Sequence, residues 1–67
     1  MSIAKITEVI SSSPSSFEEA IANGIERANK TIKGIQGAWV KDQQVLVDNG
    51  KVTEYRVTIK ITFIIND

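Results

Sequence analysis

The hydrophobic positions along the chain change their period twice, which predicts a strand, a helix and then more strands. Residues 3–10, IAKITEVI, alternate β-branched and polar side chains as a strand does. The following SSSPSS, residues 11–16, places five Ser around one Pro and predicts a break, because these residues favour turns. A helix is predicted over about residues 17–33, where apolar side chains recur every three or four positions. Its apolar stripe is Phe17, Ile21, Ile25, Ala28 and Ile32.

The helix carries its own start and stop signals. Ser16 and Glu19 fit a capping box, in which the Ser16 hydroxyl accepts from the Glu19 amide and the Glu19 side chain bonds back to the Ser16 amide. Gly34 is a natural residue just past the helix end. Gly24 inside the helix costs about 1 kcal/mol relative to Ala, a cost that close packing against a neighbouring backbone can offset.

Two further strands are predicted after the helix. Residues 38–47 read as the second strand, and Asp48-Asn49-Gly50 predicts a hairpin turn because Asn and Gly tolerate positive φ. Residues 55–65 are the clearest period-2 run, with apolar side chains at odd positions, which should lie under the helix. The even positions are polar until Ile64, and we expect them to form a solvated surface; Arg56 alternatively binds an anion or pairs with a carboxylate of another subunit.

The predicted fold class is α+β: a β-α-β-β subunit whose three-stranded antiparallel sheet wraps around one helix. Residues 1–67 are expected to form a single domain, since the chain is too short for two. One helix can cover only one face of the sheet. No Pro or bulge is evident that would protect the sheet edges, which favours association with other chains.

The composition excludes several of the features that usually stabilise a small domain. A chain of 67 residues buries only about 60% of its unfolded surface, and domains of this size often need disulfides, a metal or oligomerisation. There is no Cys and no His, so disulfides, thiolate metal sites and the commonest general base are excluded. Self-association is therefore the expected source of additional stability.

Charge and motifs exclude several function classes. Eight basic residues balance eight acidic ones, and no basic stripe suited to nucleic acid is visible. No segment is long and apolar enough to span a membrane, and the start of the chain lacks a signal-peptide pattern, so we expect a cytoplasmic protein. No phosphate loop, paired-carboxylate motif or EF-hand loop is present, so we expect a protein that is not an enzyme.

The chain resembles the dodecin family over nearly its whole length. The matching features are the Ser-Pro before the capped helix, the helix pattern FEEAI…A…T, and the closing strand pattern Y-x-V-x-x-K-x-x-F. In that strand the pattern falls on Tyr55, Val57, Lys60 and Phe63. The resemblance implies twelve β-α-β-β subunits in a hollow shell of cubic symmetry, which agrees with the expected self-association.

The resemblance also implies a non-catalytic function. Many dodecins bind flavins as stacked pairs between symmetry-related Trp side chains, with a Gln of the last strand on the ring edge, and are thought to store or buffer flavin. Other members lack this site, among them a calcium-binding branch. Flavin and calcium are thus the two cofactors that the resemblance leaves open.

Four residues are candidates for a ligand site by this resemblance. Arg56 stands where the family has its Gln, and it offers only donors where Gln offers a donor and an acceptor. An ungapped match places Gly37 at the stacking Trp and Asp42 at an acidic residue that contacts the ribityl chain in some members. A two-residue gap in the hairpin would instead align Trp39 with the stacking Trp. We favour the ungapped match, which implies an altered flavin site.

Trp39, the one Trp of the chain, keeps two interpretations open. It either lines the ligand cavity about 7 Å along the strand from Gly37 or packs in a subunit contact, where Trp is enriched. We predict a non-catalytic, homo-dodecameric protein that binds or stores a small ligand, with itself as partner and no nucleic acid or membrane. The alternatives are a working flavin-binding dodecin, a calcium-binding one and a purely structural dodecamer. The sequence assigns no metal ligands.

Overall fold

The computed structural model of the protein describes residues 3–65, which form one antiparallel sheet and one helix. The strands are β1 (Ile3–Ser13), β2 (Ile35–Asp48) and β3 (Lys51–Ile65), and the helix α1 spans Phe17–Ala28. The strand order in the sheet is β1-β3-β2, so the longest strand is central and the other two are edges. The predicted β-α-β-β order and three-stranded antiparallel sheet are confirmed.

The core lies between α1 and the odd-numbered residues of β3, as the alternation predicts. Val57, Ile59 and Ile61 are fully buried there with Ala20 of the helix. The predicted helix stripe completes this layer with Phe17, Ile21, Ile25, Ala28 and Ile32. Because buried apolar area is the main favourable term in folding, this single layer holds the subunit together.

The helix is too short to cover the sheet. Its 12 residues extend about 18 Å, whereas the 15 residues of β3 extend about 50 Å. The described chain is accordingly elongated, 51 × 19 × 14 Å, with a radius of gyration of 13.8 Å. A compact domain of this length would have a radius of gyration of about 11 Å. Much of the sheet therefore has no cover within the chain.

The predicted helix end at residue 33 is wrong, because α1 stops at Ala28. The amides of Lys30 and Thr31 bond to carbonyls three residues back, at 3.2 and 3.1 Å, which tightens the chain into a turn. The Thr31 hydroxyl also donates to the Ala28 carbonyl at 3.4 Å, and such local bonds compete with helix continuation. Gly34, with φ of 79°, then turns the chain into β2 rather than ending the helix.

The predicted break at residues 11–16 is wrong in its first half, because β1 continues through Ser13. Ser11 and Ser13 pair with Val57 and Tyr55 of β3, and the Ser11 hydroxyl donates to the Ala20 carbonyl at 2.7 Å. This hydroxyl lets a polar residue lie against the helix. Gly24 provides the room: a Cβ there would stand 3.0 Å from the Ser11 Cβ and 3.1 Å from the Ile59 Cδ1. The close packing expected at Gly24 is present, but the neighbouring atoms belong to the side chains of Ser11 and Ile59 rather than to a backbone.

Half of the predicted capping box forms. The Ser16 hydroxyl accepts from the Glu19 amide at 3.0 Å. The Glu19 carboxylate, however, accepts from the Ser13 hydroxyl at 2.5 Å rather than from the Ser16 amide. The Ser13 oxygen in turn accepts from the amides of Ser15 and Ser16, at 3.0 and 3.4 Å. Ser13, only 1% exposed, thus connects the Glu19 side chain to the two backbone amides of the turn before the helix, so that these amides are hydrogen-bonded.

The expectation of an edge without bulges is also wrong. The register of β2 against β3 shifts between Ile35 and Gly37 and again between Val40 and Asp42. Gln36 and Lys41 are the extra residues of β2 at these points. A third shift, between Leu46 and Val47, leaves the extra residue on β3. Bulges protect a sheet edge from unwanted pairing, so the first half of β2 is protected and residues 42–48 are not.

The hairpin turn forms as predicted, with Asn49 and Gly50 at φ of 52° and 77°. β1 pairs with β3 only as far as Tyr55, so residues 45–55 form a two-stranded ribbon that we call the arm. At its base Tyr55 meets Phe17 in an edge-to-face contact, with ring centroids 5.2 Å apart. Beyond this contact the arm has no helix over it.

Candidate ligand-binding face

The four predicted site residues lie on the face of the sheet that the helix leaves open. Directly opposed residues of neighbouring strands share a face. Arg56, Thr58, Lys60 and Thr62 of β3 alternate with the buried core residues and so point away from α1. Their β2 partners are Gln44, Asp42, Trp39 and Gly37, in that order, and their β1 partners are Ser12, Ile10, Glu8 and Ile6. We call these twelve residues, with Lys41, the helix-free face.

The bulge at Lys41 brings Asp42 onto this face. Trp39 and Asp42 are three positions apart, so strict alternation would place them on opposite faces. Because Lys41 is the extra residue, Trp39 pairs with Lys60 and Asp42 pairs with Thr58, two residues apart on β3. Gly37, Trp39 and Asp42 therefore follow one another along a single side of the sheet.

Arg56 lies at the far end of the same face. It pairs with Gln44, four residues along β3 from the Trp39–Lys60 pair, a distance of about 13 Å. Its Nε donates to the Ser12 hydroxyl on β1 at 3.3 Å, which orients the guanidinium along the sheet. Arg56 and Trp39 of one chain are thus separated by the rows of Asp42 and Thr58.

Trp39 is exposed. Its side chain is 61% accessible and lies beside Lys60, with Glu8 beyond Lys60 in the same row. A ring of this size buries 150–250 Å² when it is covered, so leaving it uncovered forgoes a large apolar contribution. Within one chain Trp39 contributes to no core, which leaves a ligand or another subunit to cover it.

Gly37 leaves open space next to Trp39. The Thr62 hydroxyl donates to the Gly37 carbonyl at 3.0 Å. A Cβ built on Gly37 would meet only this hydroxyl, at an ordinary contact distance of 3.8 Å. Neither the backbone conformation nor a crowded neighbour within the chain therefore demands glycine here. Gly in a strand often marks a close approach by a ligand or by another backbone.

An ion pair across the helix-free face has no signal in the sequence. Lys41 Nζ stands 3.5 Å from a carboxylate oxygen of Glu8, both side chains being about half exposed. The pair reaches over β3, two inter-strand spacings or about 10 Å. Lys41 lies two positions after Trp39, so alternation gives it this face, but the β1–β3 register that brings Glu8 within its reach was not readable from residue types. The pair lies between the rows of Trp39 and Asp42.

Metal ligands are sparse in the part of the chain that the structure describes. Residues 3–65 contain no group of three or more carboxylates close enough to hold a metal ion. Ca²⁺ takes six to eight oxygen ligands, and the Glu8 carboxylate already faces Lys41. A calcium site on this face would need ligands from more than one chain. The helix α1 is also too short to cross a membrane.

Comparisons with known proteins agree on one family. The family model described as dodecin matches residues 3–66. A curated relative, the calcium dodecin of Mycobacterium tuberculosis, is 38% identical over 64 residues, which cover 94% of this chain and 89% of the relative.

Solved structures give the same result. The dodecin of Streptomyces davaonensis superposes with a TM-score of 0.93 at 26% identity, covering 98% of this chain and 97% of that one. The calcium dodecin of M. tuberculosis, described with a novel calcium-binding site, superposes with a TM-score of 0.82 at 32% identity, covering 96% and 91%.

Proposed function

The chain belongs to the dodecin family, and from that premise we propose a non-catalytic protein that assembles as a hollow homo-dodecamer and binds or stores a small ligand. The observation that carries this proposal is the helix-free face. It has Gly37, Trp39, Asp42 and Arg56 on one open surface, with Trp39 uncovered on its β2 side.

Self-assembly follows from what one chain leaves uncovered. Large apolar side chains are exposed on the helix-free face, Trp39 at 61% and Ile10 at 66%, and others lie on the arm. Disulfides cannot compensate, because the chain has no Cys. Pairing the helix-free faces of symmetry-related copies would bury Trp39 and Ile10 and enclose a cavity between them.

The composition of the face argues for an altered flavin site. Gly37 provides no ring at the position where the ungapped match expects one. Arg56 supplies only donors and is bonded to Ser12, so it satisfies at most part of a flavin edge. The ligand we propose is a small molecule that enters the space above Gly37 and contacts the Trp39 ring.

The hydrogen bonds made by the serine hydroxyls support a non-catalytic role. Ser13, the most buried of them, donates to Glu19 and accepts from two backbone amides, so its hydroxyl is engaged in the helix cap. Ser16 accepts from the Glu19 amide, and Ser11 donates to a helix carbonyl. With no His or Cys in the chain, no base is available to activate these hydroxyls through an imidazole or thiolate.

Flavin titration is the direct test of the altered site. Riboflavin fluorescence is measured as the wild-type protein and Trp39→Phe are added. We expect little quenching by either protein. Tight quenching that disappears in Trp39→Phe would establish the alternative, a working flavin-binding dodecin in which Trp39 stacks on the ring.

Trp39 also reports on other ligands, because it is the one Trp of the chain. Its emission is recorded during titration with a panel of small aromatic and anionic compounds, and Gly37→Val serves to fill the space beside the ring. Binding on this face should shift the emission of the wild type and not that of Gly37→Val. A panel without any effect would favour the purely structural dodecamer.

Calcium binding is the second candidate, favoured by the 38% identity to a calcium dodecin. Because ligands stabilise the state they bind, saturation to about 100 times Kd would add about 2.7 kcal/mol to stability. The melting temperature is compared in millimolar CaCl₂, in MgCl₂ and with a chelator. A rise specific to calcium supports this candidate, and equal melting temperatures exclude it.

A further inference from the structure

Both edge strands of the sheet have an unpaired outer side within residues 3–65. β1 pairs only with β3, and so does β2. Unpaired N–H and C=O groups on a sheet edge readily accept another strand. On β2 the bulges at Gln36 and Lys41 interrupt the first half of the edge, whereas residues 42–48 contain no extra residue of their own. The part of the β2 edge without an extra residue is therefore residues 42–48, most of which belong to the arm.

A groove runs beside the outer edge of β1. It lies between β1 and α1, has a volume of about 280 Å³ and is lined by Val9, Ala28 and Ile32, with Arg27 and Asn23 from the helix. Arg27 is the one charged residue that lines it. A strand added to β1 would therefore place its alternate side chains into this groove, as peptides do in strand addition.

The arm has the side chains that such a groove accepts. Val45 pairs with Tyr55 on the helix side of the sheet, and Val47, two positions on, shares that face with its partner Val52. All three valines are exposed, Val47 at 59%. An isolated two-stranded ribbon is only marginally stable in water, so the arm needs cover from outside the chain.

The charges of the two surfaces are opposite. Residues 45–55 contain two acids, Asp48 and Glu54, and one base, Lys51, which leaves the arm with one net negative charge. The groove carries the single positive charge of Arg27. Opposite charge steers two surfaces together and disfavours contact between two copies of the same surface.

We propose that residues 42–48 of one copy add as a strand to the outer edge of β1 in a second copy, with Val45 and Val47 over its groove. This inference rests on the proposed self-assembly and specifies its contact. The contact joins two different surfaces, so it is heterologous rather than a two-fold pair, and it forms a ring where the rotation between copies closes. A hollow shell of cubic symmetry needs such a ring contact in addition to the two-fold contact that the helix-free faces would supply.

Site-specific cross-linking tests the contact, since the chain has no Cys to interfere. The variant Asn23→Cys/Val47→Cys is treated with a short bis-maleimide under native conditions and run on a denaturing gel. We expect a ladder that ends at one closed ring size. The control Gln36→Cys/Val47→Cys places the first thiol on the bulged part of β2 and should stay largely monomeric.

The outcomes separate this contact from assembly itself. If the unmodified protein sediments as an oligomer and the 23/47 pair links no better than the control, the strand-addition contact is overturned while the proposed assembly stands. A monomeric parent protein would overturn both. As a second readout, Val47→Asp should reduce the native mass of the particle and leave its far-ultraviolet circular dichroism unchanged; an unchanged mass would also overturn the contact.

Discussion

The two faces of the sheet differ in what they need from other molecules. The part of the helix side that lies beneath α1 is covered within one chain: Val57, Ile59 and Ile61 are fully buried there. The helix-free face is uncovered, since it exposes Trp39 and Ile10 and carries a half-exposed ion pair between Lys41 and Glu8. The difference is that this sequence completes a core beneath α1 and leaves the large apolar side chains of the helix-free face exposed.

The largest effect is expected from a cavity in the helix side. Ile59→Ala removes a side chain with no exposed surface and should cost about 2–5 kcal/mol of unfolding free energy. Ile6→Ala on the helix-free face, where half of the side chain is exposed, should act mainly through assembly. Urea unfolding at several protein concentrations separates the two effects. If both variants lose the same unfolding free energy at every protein concentration, the proposed difference between the two faces is contradicted.

Ser13→Ala tests the polar support of the helix side. The variant loses the donor to Glu19 and the acceptor for the Ser15 and Ser16 amides, which should cost about 1–3 kcal/mol. Ser15→Ala is the matched control at an exposed position and should change stability by less than about 0.5 kcal/mol. Equal urea midpoints for the two variants would show that the hydrogen bonds of the Ser13 side chain contribute nothing to stability.

Gly24→Ala tests how closely α1 packs against β1. Helix propensity alone would make Ala better by about 1 kcal/mol, but the new Cβ would crowd Ser11 and Ile59 at 3.0 and 3.1 Å. Overpacking typically costs 1–3 kcal/mol, so a net loss of about 1 kcal/mol is expected. Ala22→Gly, at an exposed helix position, gives the propensity difference without crowding. A more stable Gly24→Ala would contradict the close packing.

The smallest effect is expected on the helix-free face itself. The exposed pair of Lys41 and Glu8 should contribute only about 0.2–1 kcal/mol, because water and salt screen it. A double-mutant cycle with Glu8→Gln and Lys41→Gln measures this coupling at low and high salt. A coupling above about 2 kcal/mol that persists in high salt would indicate that the pair is buried in the assembled particle.

Periodicity predicted the helix side because its causes are local. The apolar stripe of α1, the odd residues of β3 and the turn at Asn49-Gly50 each follow from spacing and residue type alone. The helix end and the Ser11–Ser13 strand could not be predicted in the same way. The Ser11–Ser13 strand depends on hydrogen bonds to Ala20 and Glu19, which form only when β1 and α1 pack together. The helix end is marked by a local bond from Thr31 to Ala28, in a segment whose apolar spacing alone favoured a longer helix.

Less of the candidate site than of the fold could be predicted from the sequence. The resemblance identified Gly37, Trp39, Asp42 and Arg56, but strict alternation would have placed Trp39 and Asp42 on opposite faces. The bulge at Lys41 reverses this, whereas the Lys41–Glu8 pair depends on the register of β1 against β3, which places Glu8 beside Lys60. A bulge depends on how two strands match along their whole length, so single residue types do not reveal it.

Sedimentation equilibrium of the wild-type protein tests the central claim most directly, namely that the open surfaces are closed by further copies of the chain. The account predicts one species of about 89 kDa, twelve times the 7.4 kDa of the chain, which persists on dilution into the low micromolar range. A mass near 7.4 kDa, with the far-ultraviolet circular dichroism of a folded α+β protein, would contradict it.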